Sequence, residues 1–169
     1  PRGPLPERVG RYQLLTELGN GATAKVFFAR VAGLGGFNRL FAVKMIHEHL
    51  AGETKFIDLF LNEARIASRI HHPNVVAISD VGIEAGSYYL GMDYVVGETL
   101  TRLLQNTWNV GQPLPIEVTL QIILQCCEGL HAAHELKDRD GRPLGVVHRD
   151  VAPQNIMVGK YGEVSVMDW

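Results

Sequence analysis

Three strand-like runs separated by glycine-rich turns constrain the fold of this chain more than any other feature. The runs are Tyr12–Leu18, Ala24–Val31 and Leu40–Ile46, and each is rich in apolar and β-branched or aromatic residues. Gly19-Asn20-Gly21 separates the first two runs, and Gly33-Leu34-Gly35-Gly36 separates the second from the third. Because such turns join neighbouring strands, the pattern predicts an antiparallel meander.

A helix and further strands are predicted after the meander. In residues 53–69, apolar side chains recur at helical spacing, and Glu63 lies on the same face as Phe60. Residues 75–83 and 88–95 are predicted strands. Residues 100–104 are predicted as a short helix, and a second long helix is predicted after Pro115.

The segment from His148 to Asn155 carries the clearest chemical signal. Asp150 and Asn155 lie five positions apart in one predicted loop, and Asp168 follows at the end of an apolar run. A carboxylate that accepts a proton and oxygen ligands for Mg²⁺ are what phosphoryl transfer requires. The alternative is a structural loop, in which Asp150 bonds nearby backbone amides and Asp168 is an exposed residue at a strand end.

Three earlier features fit the same chemistry. Gly19 and Gly21 allow the backbone to lie close to phosphates, although most such pairs are plain hairpin turns. Lys44 lies near the end of an apolar strand, where it either is exposed or holds nucleotide phosphates. Glu63 lies on an apolar helix face, where an unpaired carboxylate is costly, so either Lys44 is its partner or it reaches water at the helix rim. The order of all five features favours the functional interpretation.

Composition excludes some classes of function and partner. A net charge of −2 gives no reason to expect nucleic acid as a partner, and no apolar run reaches the length of a membrane span. The only cysteines are the adjacent Cys126 and Cys127, which argues against a disulfide framework and for a reducing, cytoplasmic setting. The chain begins at Pro1 without a signal-peptide pattern, and we expect it to be a piece of a longer protein.

With these motifs in order, residues 9–169 resemble the eukaryotic-type (Hanks-type) protein kinase superfamily. The resemblance implies an α+β fold, with a five-stranded antiparallel N-lobe and one helix, then a truncated, mainly helical C-lobe. It implies a linker over residues 1–8, an N-lobe with its hinge over residues 9–95 and a partial C-lobe over residues 96–169. The resemblance also carries His72-Pro73-Asn74, the turn that follows the helix in this family.

The resemblance also implies roles for individual residues. Asp150 would be the catalytic base, supported by Lys44, Glu63 and Asn155, with Asn155 and Asp168 as Mg²⁺ ligands. The residues implied to bind ATP are Leu18, Gly19, Gly21, Val26, Ala42, Lys44, Met92, Asp93, Val95, Met157 and Asp168. Met92 would be the gatekeeper, and Asp93 to Val95 the hinge that holds adenine through backbone groups. The implied reaction transfers the γ-phosphate of ATP to Ser or Thr hydroxyls of proteins.

The sequence departs from the family pattern at four places. Ala24 replaces the third glycine of the loop, Ala152 replaces a lysine between the catalytic Asp and Asn, and Trp169 replaces a phenylalanine. A polar insert around Asp140-Gly141 precedes the catalytic loop, and together with Pro153-Gln154-Asn155 it is most similar to the bacterial branch.

Other functions stay open at this point. Ala152 is compatible with a pseudokinase that binds nucleotide or a partner without catalysis, and it also occurs in tyrosine kinases. Met167-Asp168-Trp169 resembles the ending found in small-molecule phosphotransferases of the aminoglycoside or choline kinase type. Because an activation segment is missing from this sequence, we expect the 169-residue piece by itself to be inactive or nearly so.

Overall fold

A computed structural model describes residues 7–169 of the chain, which form two compact units. The first unit contains residues 7–65 and Ile78–Tyr94, and the second contains Ile66–Ala77 and Val95–Trp169. Most of the predicted linker over residues 1–8 lies outside the described residues, and its last residue, Arg8, belongs to the first strand.

An antiparallel sheet of six strands dominates the first unit, in the order β1-β2-β3-β4-β6-β5. Its strands are β1 (Arg8–Val9), β2 (Tyr12–Asn20), β3 (Ala24–Ala32), β4 (Asn38–Ile46), β5 (Ile78–Glu84) and β6 (Ser87–Asp93). The prediction of five strands missed β1, whose two residues are too few for a periodic pattern. A turn at Gly10, with φ of 51°, pairs β1 with β2.

One face of this sheet carries the core of the first unit. The core consists of Val9, Tyr12, Leu14, Phe27, Ala29, Phe41, Val43 and Tyr89. Tyr12 is fully buried, and its ring meets the ring of Phe41 edge-on at 5.1 Å, a favoured aromatic geometry. Burial raises the pKa of the Tyr12 hydroxyl, while a hydrogen bond from Arg11 opposes that shift. The core therefore fixes β2, β3, β4 and β6 against one another.

Helix α1 spans Thr54–Ala67, slightly less than the predicted residues 53–69. Phe60, Ala64 and Ala67 are buried and recur at helical spacing, as an amphipathic helix requires. The predicted strand at residues 75–83 begins later than expected, at Ile78. Val75 instead forms an isolated bridge with Val166 in the second unit, so an apolar segment that resembled a strand serves two different elements.

The second unit combines two helices with a small antiparallel sheet, as well as shorter turns. The helices are α2 (Leu100–Asn109) and α3 (Ile116–His134), and the strands are β7 (Gly97–Thr99), β8 (Ile156–Gly159) and β9 (Val164–Val166), in the order β7-β8-β9. The prediction of a mainly helical C-lobe did not include this sheet. An apolar core of the second unit consists of Ile122, Cys126, Ile156, Val164 and Val166. Burial raises the pKa of the Cys126 thiol.

Helix α3 shows that apolar periodicity does not identify its buried face. Ile122, Cys126 and Ala133 are buried, whereas Leu120 and Leu124 are more than half exposed. Together with the buried Gly129, the first set recurs at spacings of three or four residues, and the exposed pair lies four residues apart, so the sequence offers two apolar stripes. Packing within the described unit selects the first one.

Candidate active site

Five of the residues predicted to contact nucleotide share one face of the six-stranded sheet. They are Gly19, Val26, Ala42, Lys44 and Met92, contributed by β2, β3, β4 and β6. The ladder pairs Val26 with Lys44 and Ala42 with Met92, and cross-strand partners project from the same face. Val43 lies between Ala42 and Lys44 and belongs to the core cluster, so the face that carries these five residues is the one opposite the core. We call it the nucleotide face.

The glycine-rich loop leaves open space where the phosphates are predicted. A Cβ atom added to Gly19 would meet no atom of the described residues within 4 Å, and one added to Gly21 would lie 3.5 Å from the Ala24 carbonyl oxygen. Packing within the unit therefore does not require glycine at either position, whereas close approach of a ligand to the backbone would. Leu18, at the end of β2, is about half exposed.

Lys44 and Glu63 form the ion pair that the apolar helix face predicted. The Lys44 Nζ atom donates to both carboxylate oxygens of Glu63, at 2.7 and 3.0 Å. The two side chains are only 15% and 19% exposed, so water screens this pair less than a surface pair. The pair fixes the ammonium group of β4 relative to α1.

The predicted hinge begins at a residue whose side chain is held by two neighbouring strands. Asp93 Oδ1 accepts hydrogen bonds from Arg39 of β4 at 2.8 Å and from Ser79 of β5 at 3.1 Å. Asp93 follows Met92 in the strand, so their side chains project from opposite faces. The backbone of Asp93 is thus the part available to the nucleotide face. Val95 lies beyond β6 and begins the second segment of the second unit.

The predicted catalytic loop in the second unit is ordered by hydrogen bonds around Asn155. The buried Asn155 donates through Nδ2 to the backbone oxygen of Asp150 at 2.9 Å and to its carboxylate oxygen Oδ2 at 2.8 Å. Asp150 itself is exposed. Arg149, immediately before it, has φ of 67°, a conformation that non-glycine residues seldom adopt. The loop therefore presents an exposed carboxylate from a fixed position.

His148 connects this loop to the segment that contains Asp168. The His148 Nδ1 atom accepts a hydrogen bond from the Asp150 backbone N–H at 3.3 Å, so Nε2 is the nitrogen that donates to the Met167 carbonyl oxygen at 3.0 Å. The Met167 N–H donates to the Asn155 carbonyl oxygen at 3.0 Å. Residues 148, 155 and 167 thus form one hydrogen-bonded arrangement. Exposed Asp168 follows it with φ of 62°.

The donor atoms of Asn155 and Asp168 suit a hard cation such as Mg²⁺. The amide nitrogen of Asn155 is committed to Asp150, which leaves the amide oxygen to coordinate, and Asp168 supplies an exposed carboxylate. Mg²⁺ is commonly held by one or two protein oxygens, with water and phosphate oxygens completing the octahedron. Met157, on β8 beside these groups in sequence, is paired with Thr99 and Ser165.

Sequence reasoning did not assign roles to several side chains that organise the site. Arg39 and Ser79 hold Asp93, and His148 holds the backbone of the catalytic loop. The buried ring of His148 also lies 4.7 Å from the ring of Trp169. The position of His148 two residues before Asp150 was a usable signal, whereas Arg39 and Ser79 lie 54 and 14 residues from Asp93 and gave none.

Fold and geometry together define the class of protein. The chain belongs to the protein kinase domain family, whose model matches residues 12–169. The tyrosine-protein kinase MasK of Myxococcus xanthus is 36% identical over 166 residues, which cover 98% of this chain and 26% of that protein. The serine/threonine-protein kinase PrkC of Bacillus subtilis is 34% identical over 160 residues, covering 95% and 22% of the two chains.

Solved structures agree with this membership. The crystal structure of the PknI kinase domain from Mycobacterium tuberculosis matches with a TM-score of 0.74 and 26% identity, over 98% of this chain and 62% of that one. The relatives identify the chain as a bacterial Hanks-type kinase domain. The chain spans about a quarter of the length of the two curated relatives named above.

Membrane-spanning helices and clusters of metal-binding side chains are absent from residues 7–169. Among them, no helix combines the length and apolar character needed to cross a bilayer. Within the same residues, His, Cys, Asp and Glu side chains form no group of three or more able to hold a metal ion.

Proposed function

We propose that the full-length protein transfers the γ-phosphate of ATP to hydroxyl groups of protein substrates. The observation that supports this most directly is the exposed Asp150 carboxylate, which Asn155 holds through two hydrogen bonds. A loop cap would direct the carboxylate towards backbone amides. Here the carboxylate instead accepts a hydrogen bond from the side chain of Asn155, a predicted metal ligand. The backbone N–H of Asp150 donates to His148.

Residues of each unit have separate proposed roles in the reaction. In the first unit, the open sheet face and the glycine-rich loop would hold ATP, and Lys44, oriented by Glu63, would contact the α- and β-phosphates. In the second unit, Asp150 would orient the acceptor hydroxyl and take its proton as the new oxygen–phosphorus bond forms. Bound Mg²⁺ would neutralise phosphate charge, and Asn155 and Asp168 are the residues that would hold it.

We assign serine and threonine as the acceptors. PrkC and the probable kinase SCO3848 of Streptomyces coelicolor, 34% and 36% identical to this chain, are named serine/threonine-protein kinases. MasK, at 36% identity, is named a tyrosine-protein kinase, which makes tyrosine the second candidate. Ala152 removes a positive charge that serine/threonine kinases usually place between the two catalytic-loop residues, and the proposal requires that this loss be tolerated.

We also propose that this domain works in the cytoplasm, where ATP is supplied. Cys126 and Cys127 are both free thiols, which suits a reducing compartment. The net charge of −2 does not favour nucleic acid as a substrate. ATP and a protein carrying an accessible hydroxyl are therefore the proposed partners.

A phosphotransfer assay on the full-length protein tests this function. Labelled ATP and Mg²⁺ would be supplied to the wild type and to Asp168→Asn, followed by acid hydrolysis and separation of the phosphoamino acids. We expect label on phosphoserine or phosphothreonine that is lost in the variant. Label on phosphotyrosine would favour the second acceptor class. Nucleotide binding without transfer would favour a pseudokinase, and label on an aminoglycoside or choline but not on protein would favour a small-molecule phosphotransferase.

A further inference from the structure

His47 directly follows β4 and contacts the tip of the glycine-rich loop. It is the first residue after the β3–β4 ladder, which ends with the pair Ala24 and Ile46. The backbone N–H of His47 donates to the Thr23 carbonyl oxygen at 3.1 Å, and its ring atom Nε2 lies 2.9 Å from the Gly21 carbonyl oxygen. One residue therefore binds the loop at two points two residues apart.

The chemistry of the two partners determines how the ring must bind. A backbone carbonyl oxygen only accepts hydrogen bonds, so the Nε2 atom of His47 carries the hydrogen and donates it. Both the Nε2–H neutral tautomer and the charged ring satisfy this requirement. The ring also stacks on His49, with centroids 5.4 Å apart and planes 21° from parallel, which restricts the rotation of both rings.

The location of this contact connects it to the nucleotide site. Gly21 also closes the loop through its N–H, which donates to the Ala24 carbonyl oxygen at 3.0 Å. The strands that flank the loop, β2 and β3, place Gly19 and Val26 opposite each other on the nucleotide face. Lys44 lies on β4, three residues before His47, which directly follows the last residue of that strand. The contact thus fixes the loop relative to the strand that carries the phosphate-binding lysine.

We propose that His47 is a positioning residue that holds the glycine-rich loop in the position needed to contact the nucleotide phosphates. This role rests on the proposed function, because it requires that the loop bind phosphates. Glycine-rich segments lose more conformational freedom on ordering than other segments, and a preformed contact removes part of that loss before ATP arrives. His47 would act through Gly21 and would touch neither adenine nor the transferred phosphate.

Comparison of ATP with adenosine separates this role from a general effect on folding. Binding of each ligand, with Mg²⁺ present, would be measured by calorimetry on the full-length wild type and on His47→Ala. Loss of one partly exposed hydrogen bond should weaken ATP binding by about two- to ten-fold. Adenosine, which has no phosphates, should bind both proteins equally. The Michaelis constant for ATP should rise by the same factor while turnover changes less.

Two further variants serve as matched controls. His47→Gln supplies a side-chain N–H of similar reach and should restore most of the ATP affinity. His49→Ala removes the stacking partner but keeps the bond to Gly21, and its effect should be smaller than that of His47→Ala.

Three outcomes would decide against the inference. ATP binding to His47→Ala at the wild-type affinity would overturn it, and so would equal weakening of ATP and adenosine. A wild-type protein that binds neither ligand and transfers no phosphate would overturn the proposed function, and the role of His47 with it.

Discussion

The Lys44–Glu63 pair of the first unit and the catalytic loop of the second unit are held in place by different kinds of interaction. Lys44 and Glu63 belong to a strand and a helix, and opposite charges join them across 19 residues of sequence. The catalytic loop uses hydrogen bonds between residues close in sequence, from the Asn155 amide to Asp150 and from the Asp150 N–H to His148. It also uses a left-handed backbone at Arg149.

The two kinds of interaction respond differently to substitution. An ion pair between separate elements depends on both charges, and removal of one takes away an interaction that offsets the cost of burying the other. A local hydrogen-bonded loop can keep its shape when a carboxylate becomes an amide of the same size. Substitution of Lys44 or Glu63 should therefore affect stability and activity together, whereas an isosteric change in the loop should affect chemistry alone.

The largest effect is expected from Asp150→Asn, which tests whether a substitution in the loop changes chemistry without changing stability. The amide still fits beside Asn155 but cannot take the hydroxyl proton, so turnover should fall by about 10²- to 10⁴-fold. ATP affinity and thermal stability should stay close to those of the wild type. Steady-state phosphotransfer with calorimetric ATP binding measures both quantities. Asp140→Asn, in the exposed polar turn, is the matched control, and unchanged turnover in Asp150→Asn would remove Asp150 from the mechanism.

The next largest effect is expected at the Lys44–Glu63 ion pair, and it tests whether this pair stabilises the first unit. Glu63→Ala leaves Lys44 without this carboxylate in a site where its side chain is 15% exposed. The expected loss is about 2–3 kcal/mol of unfolding free energy, between the values for exposed and buried pairs. Urea unfolding of Glu63→Ala, Lys44→Met and the double variant gives the coupling. A double variant whose loss equals the sum of the two single losses would show that the pair contributes no stability.

A packing contact in the second unit gives a smaller effect. Gly129 of α3 lies so close to Asn74 that a Cβ atom there would be 2.5 Å from the Asn74 carbonyl oxygen. Overpacking costs roughly 1–3 kcal/mol, whereas alanine in a helix gains up to about 1 kcal/mol over glycine. Gly129→Ala should therefore lower the unfolding free energy by about 1–2 kcal/mol.

Gly52 provides the control for that substitution. A Cβ atom at Gly52 meets no described atom within 4 Å, so Gly52→Ala should be close to neutral. Equal unfolding midpoints for the two variants would show that α3 shifts to accommodate the methyl group.

The smallest effect is expected at Arg39. Its ion pair with Asp93 is exposed, at 61% and 41% for the two side chains, and exposed pairs contribute about 0–1 kcal/mol. Arg39→Ala should weaken ATP binding by less than about five-fold, because Ser79 still holds Asp93. The difference from the wild type should shrink as salt increases. A larger effect that persists in high salt would indicate that Arg39 fixes the hinge by geometry, with charge contributing little.

Much of the fold could be predicted because its signals are local. Strand periodicity with glycine-rich turns identified β2, β3 and β4, and helical periodicity identified α1 and α3. β1 escaped detection because two residues carry no period, and Val75 was assigned to the wrong element because a single bridge to Val166 leaves no sequence pattern. The Lys44–Glu63 contact was predicted because a carboxylate on an apolar face requires a partner.

The sequence by itself determined which chemical groups this protein carries and in what order: a glycine-rich loop, a strand lysine, a helix glutamate, and an aspartate with an asparagine in one loop. Tertiary structure decided which of the two apolar stripes of α3 is buried, which strands hold Asp93, and that His47 binds the Gly21 carbonyl. The physical reason is that residue type and period are local properties. A hydrogen bond between distant residues depends on how strands pair and helices pack, and that is set by the whole core.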